Sequence, residues 1–174
     1  YDVVERQRFT IMPELSLDLS EDTNLLLYAY IQRDPEGGFH GSVPYDLSVN
    51  SSRFGRTVDD EFVDTAENFE KFDRDTDIYS YELTHRVNDQ IKLTSKAQYT
   101  DLDVDFQQTY QTGFLNGATD PADPTLRRTA GEADEHLSAI ALDNHAQFDF
   151  DTGVIGHTLL AGIGYQKRDT RARE

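Results

Sequence analysis

Five histidines, His40, His85, His136, His145 and His157, are the first side chains to weigh for chemistry. They fall on separate stretches, without the short spacing that lets imidazoles share a zinc ion. Cysteine is absent, which removes thiolate nucleophiles, thiolate zinc sites and disulfides. Asp101, Asp103 and Asp105 alternate, so on an extended chain their carboxylates share one face. Such oxygens suit calcium, and they also suit a solvated acidic rim, which is the reading adopted here. Asp149-Phe150-Asp151-Thr152-Gly153 reads as a turn rather than a catalytic carboxylate pair. Serines occur without a nucleophile elbow. No protein-held metal, no cofactor and no enzyme activity is expected. What is concentrated is recognition chemistry. Phe39, His40, Tyr45 and Tyr110 offer flat apolar faces, several with polar tips, to an amphipathic ligand. The competing role for Phe39 and Tyr45 is packing of their own loop.

These residues hang on a repeating framework. Phe9, Ile11, Pro13, Leu15, Leu17 and Leu19 alternate with Thr10, Met12, Glu14, Ser16 and Asp18, the period of a strand with one apolar face. A turn at Ser20-Glu21-Asp22-Thr23-Asn24 leads to a second arm bearing Leu25, Leu27, Ala29 and Ile31. Pro13 lacks a ladder donor and predicts a local irregularity. The pattern recurs in two further hairpins, so the expected hairpins span about 8–33, 78–100 and 136–167. Between them lie two long regions, about 34–77 and 101–135. In the first, Phe62, Ala66, Phe69 and Phe72 have helical spacing, although Thr65 and Asn68 are indifferent helix formers. Loops of this length are usually functional or disordered, and the aromatics favour function.

The predicted fold is therefore all-β, an antiparallel up-and-down meander of about six long strands. Short turns fall at one end and long loops at the other, the asymmetry of outer-membrane barrels. The chain has no apolar run long enough for a transmembrane helix, but a transmembrane strand needs only about 9–11 residues. A net charge of −17 argues against nucleic acid. Glu82, Arg86, Lys92 and Lys96 are dense for a protein core and ordinary for a wet lumen, so Tyr28, Tyr30, Lys92 and Lys96 are expected to point inward. No secretory leader is visible, and the ends suggest a piece of something longer.

Three stretches resemble the barrel of TonB-dependent ferric siderophore receptors, especially those for ferrichrome and other hydroxamates. They are Ile11-x-Pro13 followed by Thr23-Asn24-Leu25, the run Asp34-Pro35-Glu36-Gly37-Gly38-Phe39-His40-Gly41, and Thr152-Gly153 with His157-Thr158-Leu159-Leu160-Ala161-Gly162. The resemblance implies that residues 1–174 are part of a 22-stranded outer-membrane barrel with two extracellular loops. It implies energy-dependent uptake of a ferric siderophore and coupling to an inner-membrane TonB complex. The coupling segment and the plug domain are expected outside these residues. It also implies ligand contacts at Phe39, His40, Ser42 and Tyr110; Tyr45 joins them from its own chemistry. Ser42 and Thr112 depart from the aromatic pattern of the ferrichrome type. The alternatives are a passive porin or adhesin barrel, and a soluble β-sandwich that binds a ligand. The sandwich predicts that the faces starting at Phe9 and Tyr79 are buried in protein.

Overall fold

The computed structural model describes residues 5–38, 41–50, 52–59, 62, 64–66, 68–116 and 124–173. They form one antiparallel sheet built from β1 (Gln7–Ile11), β2 (Glu14–Ser20), β3 (Thr23–Glu36), β4 (Lys71–Asn88), β5 (Ile91–Phe114), β6 (Leu126–Thr152) and β7 (Ile155–Arg173). β1 and β2 both pair with β3, and from β3 to β7 each strand pairs with the next in sequence. This is the expected meander. The first arm is two strands rather than one, because Pro13 has no N–H to give the ladder. Its carbonyl still accepts from Ala29 N at 3.0 Å, so the break is local. The connections at Glu21-Asp22, Asp89-Gln90 and Gly153-Val154 are tight, as the turn formers predict.

The strands outrun the expected hairpins. β4 begins at Lys71, β5 continues to Phe114 and β6 begins at Leu126. The expected loops at 34–77 and 101–135 are thereby corrected to connections of residues 37–70 and 115–125. Apart from Asp101 to Phe106, where Leu102, Val104 and Phe106 alternate with aspartates, the added segments are charged or polar on both faces and lack the apolar contrast by which a strand is recognised. Their register is unbroken, with Asp73 opposite Asp105, Asp75 opposite Asp103 and Asp77 opposite Asp101. The helical spacing ending at Phe72 does not make a helix. Phe69 N and Glu70 N both bond to Ala66 O, a single turn, and Phe72 lies inside β4 with its ring edge-on to Phe106 at 6.0 Å. The helix that does form among the described residues is α1 (Tyr45–Ser48), directly after Pro44.

The register sorts the side chains onto two faces. One carries Leu17, Leu25, Leu83, Ser95, Asn144 and Ile163 in a row across the sheet, with Tyr79, Tyr99 and Ile140 in another. Along the strands this apolar band covers residues 79–87, 91–99, 140–150 and 155–165, nine to eleven residues each. That is the length a tilted strand needs to cross a bilayer. The opposite face holds Tyr28, Glu82, Lys96, Gln98 and Asp143, with Lys96 Nζ 2.9 Å from Glu82.

Burial is inverted relative to a soluble domain. Phe9 is 60% exposed and Tyr79 48%, while the most buried side chain among the described residues is Asp34 at 1%. The soluble sandwich required those two faces to be covered by protein, so it is overturned. An uncovered apolar face of this extent on a single sheet calls for an apolar environment around it.

Candidate functional site

The polar face ends, above the apolar band, in a charge cluster. Tyr30, Gln32 and Asp34 alternate on β3 and therefore share this face. Tyr30 OH donates to Gln32, Gln32 Nε2 donates to Asp34 Oδ2 at 2.7 Å, Arg8 Nε donates to Asp34 Oδ1 at 2.7 Å and Arg74 Nη2 to Asp34 Oδ2 at 2.8 Å. Burial raises the Asp34 pKa, but the hydrogen bonds and charges of Arg8 and Arg74 outweigh it and hold the carboxylate below its usual range. One carboxylate thus ties together three strands, β1, β3 and β4.

The chain leaves β3 directly beyond this clamp. Gly37 N bonds to Phe72 O at 2.7 Å, and a Cβ at Gly37 would collide with that carbonyl and the Phe72 ring. Gly38 follows with φ of 74°, which glycine adopts freely. The paired glycines therefore allow a close pass over β4 and then a sharp change of direction.

The loop next reaches β5. Gln111 Nε2 donates to Ser42 O at 3.1 Å and to Ser42 Oγ at 2.9 Å. Phe54, nearly buried, packs on Phe114 with ring centroids 4.8 Å apart, and Arg53 lies 5.5 Å from both rings. A bulge between Gln111 and Gly113 puts Phe114 and Leu126 on the same side as Gln111 and Arg128. Tyr110 takes the other face, opposite Thr129, with its ring against Gly131. By register this is the face of Tyr28 and Gln98. Gln98 and Tyr28 also line a groove of about 350 Å³ lower on that face, with Glu82, Lys96 and Asp143.

Of the residues expected to contact a ligand, the structure brings Ser42 against Gln111, next in sequence to Tyr110. Tyr45 opens α1 and is 63% exposed, so it stands free of the packing role considered for it. Phe39 and His40 lie outside the described residues. Gln111, Arg8, Asp34 and Arg74 were missed. The period of Tyr30, Gln32 and Asp34 was a signal that the polar face continues into the loop opening.

The four described histidines remain apart. His85 meets Thr23 at 2.9 Å, His145 meets Asp143 at 2.7 Å and His157 meets Thr152 at 2.5 Å. His136 sits 2.8 Å from Asp103, and ligand atoms of His136, Asp101 and Asp103 lie within 4.8 Å of one another. Asp105 instead pairs with Lys71.

An open antiparallel sheet with a bilayer-wide apolar band, a polar opposite face and loops gathered at one end is a segment of a transmembrane β-barrel wall. The comparisons narrow the class. No family model matches the chain. It is 34% identical over 165 residues to the Ferrioxamine B receptor of Salmonella typhimurium, covering 95% of this chain and 22% of the relative. It is 34% identical over 167 residues to the Ferrioxamine receptor of Yersinia enterocolitica, covering 96% and 22%. Against the Ferrichrome outer membrane transporter/phage receptor of Escherichia coli it is 25% identical over 178 residues, covering 94% and 23%. Crystal structures of the ferric-catecholate import receptor Fiu from E. coli and the siderophore receptor PiuA from Acinetobacter baumannii each superpose with a TM-score of 0.77 at 19% identity. They cover 97% of this chain and 27% and 24% of theirs.

Over nearly its whole length, then, the chain is similar to siderophore receptors and has the fold of a stretch of their β-barrel. It spans about a fifth of the length of the curated relatives it matches, 22% for the ferrioxamine receptors.

Proposed function

We propose that these residues form part of the wall and outer loops of an outer-membrane receptor for energy-dependent uptake of a ferric siderophore of the hydroxamate type. The single observation that carries this reading is the 34% identity over 95% of the chain to a ferrioxamine B receptor. The apolar band supports it independently, because a face of this width fits the hydrocarbon of a bilayer. Lipid is thus the partner of one face. The polar face lines the pore, which the remainder of the receptor's own chain fills.

In this reading the iron arrives already wrapped by its chelator and is cargo. The protein needs no cofactor and no ligand atom on the metal, and it catalyses no reaction. The loop from Gly37 to Tyr45 and the face of Tyr110 touch the chelate, with Phe39, His40 and Ser42 at the loop opening. Asp34 holds that opening through Arg8 and Arg74. Transport draws on an inner-membrane TonB complex, through a region of the receptor outside these residues. The departures at Ser42 and Thr112 from the ferrichrome pattern agree with the higher identity to ferrioxamine receptors than to the ferrichrome transporter.

The reading is tested by blotting outer-membrane and soluble fractions of source cells with an antibody to this segment, with and without iron. A band several times larger than 19.8 kDa in the outer membrane, rising under iron starvation, is expected. A soluble band overturns it.

A further inference from the structure

The middle of the apolar band carries two polar side chains. Ser95 and Asn144 are direct cross-strand partners, and their row, from Leu17 to Ile163, runs across the centre of the band. Ser95 Oγ lies 3.2 Å from the Tyr81 hydroxyl, and nearer the turns His85 meets Thr23 at 2.9 Å. These groups are answered within the face. Asn144 is exposed, and no hydrogen bond among the described residues reaches its side chain. It cannot turn to the pore, because its neighbours Asp143 and His145 take that face.

An amide held at mid-bilayer finds no water, and lipid tails offer neither donor nor acceptor. Polar side chains at that depth are costly unless another transmembrane surface supplies the partner. The surroundings of Asn144 are shaped for such an approach. A depression of about 490 Å³ is floored by Ser95, Ala146 and Ala161 and rimmed by Leu83 and Ile163. Small side chains let a second surface come near enough to hydrogen-bond.

The chemistry of the amide selects the occupant. It holds both donors and an acceptor, so an identical amide is a full complement to it. Copies inserted in the same sense are related by a two-fold axis along the membrane normal, and a residue on that axis meets itself. An acyl chain would fill the hollow and leave the amide unanswered.

We propose that the Asn144 depression is the contact between two copies of the receptor in the outer membrane, with the two Asn144 amides paired across the two-fold axis. The pairing rests on the outer-membrane reading of this face and is independent of what the receptor binds.

The test uses the full-length receptor in the outer membrane of intact cells. Asn144→Cys, oxidised with copper–phenanthroline, should give a disulfide-linked species of twice the receptor's mass. Leu17→Cys, at the far end of the same row, should not. No dimer from Asn144→Cys, equal dimer from both variants, or an adduct of another mass overturns the proposal. For the purified receptor in detergent, Asn144→Leu should weaken dimerisation about tenfold, read by sedimentation equilibrium. A variant that dimerises as tightly as the wild type overturns the amide pair. Receptor present in the outer membrane and monomeric overturns the contact alone, whereas receptor missing from the outer membrane overturns the membrane reading and the contact with it.

Discussion

Gln111 and Ser42, separated by 69 positions in the chain, are joined by a hydrogen bond of 2.9 Å from Gln111 Nε2 to Ser42 Oγ. This bond, with a second to the Ser42 carbonyl, fixes the loop opening against β5 on the face opposite Tyr110. Gln111→Ala removes both. Because the bonds are exposed, each contributes about 0.5–1.5 kcal/mol at most. Affinity for the ferric chelate should fall about three- to tenfold, with unchanged receptor abundance in the outer membrane. An unaltered binding isotherm would show that the loop is held without them.

Asp34 predicts an acid sensitivity. Its folded pKa lies below the unfolded value, so its contribution is complete above the unfolded carboxylate pKa and is lost as pH falls through the folded one. Thermal unfolding of the full-length receptor in detergent, taken from neutral pH to about pH 3, should show this loss. Asp34→Asn should cost about 1–3 kcal/mol at neutral pH, because Arg8 and Arg74 lose their shared carboxylate. Both arginines are partly exposed, which limits the penalty. The variant should also be less acid-sensitive; an identical pH profile would assign the sensitivity elsewhere.

Orientation is tested by a pair of arginines. Leu17 shares a row with Leu25 and Leu83 in the apolar band, whereas Gln98 sits on the polar face. Leu17→Arg near mid-bilayer should cost roughly 2–4 kcal/mol and reduce assembled barrel. Gln98→Arg should assemble normally. The reverse ranking, read by heat-modifiable migration of the folded barrel, would invert the faces.

The acidic extension of the sheet should respond to salt. Asp73 and Asp105 are direct cross-strand partners, an arrangement that repels. Lys71 lies between them, pairing with both. Lys71→Ala should destabilise the receptor by about 0.2–1 kcal/mol at low ionic strength and by less at high salt. Denaturant titrations at two salt concentrations measure this. A salt-independent loss would make the Lys71 contribution one of packing.

How far the sequence could be read depended on apolar contrast. Residues such as Leu15, Leu17, Tyr79, Tyr81, Leu159 and Ala161 alternate with polar neighbours, so the hairpins, their turns and the break at Pro13 were legible. Lys71 to Asp77 and the segments beyond Phe106 and before His136 carry charge or polarity on both faces. Period two is visible only in Asp101-Leu102-Asp103-Val104-Asp105-Phe106, and the remaining parts of these long strands passed for loop. Ser42 and Tyr110 were reached through family likeness, and the bond from Gln111 to Ser42 depends on a contact between distant parts of the chain. The cavity of about 600 Å³ that Asp64 and Thr65 share with Leu47 and Leu126 was illegible for the same reason. Nothing local to Asp64-Thr65 shows that Leu47 and Leu126 will enclose them.

The most direct test of the account is uptake. The full-length receptor is expressed in cells lacking their own hydroxamate receptors, and radiolabelled iron is supplied as a ferric hydroxamate. Accumulation is expected that a protonophore collapsing the inner-membrane proton gradient abolishes, and that His40→Ala weakens without lowering receptor abundance. Receptor present in the outer membrane with no accumulation of any ferric hydroxamate would contradict it.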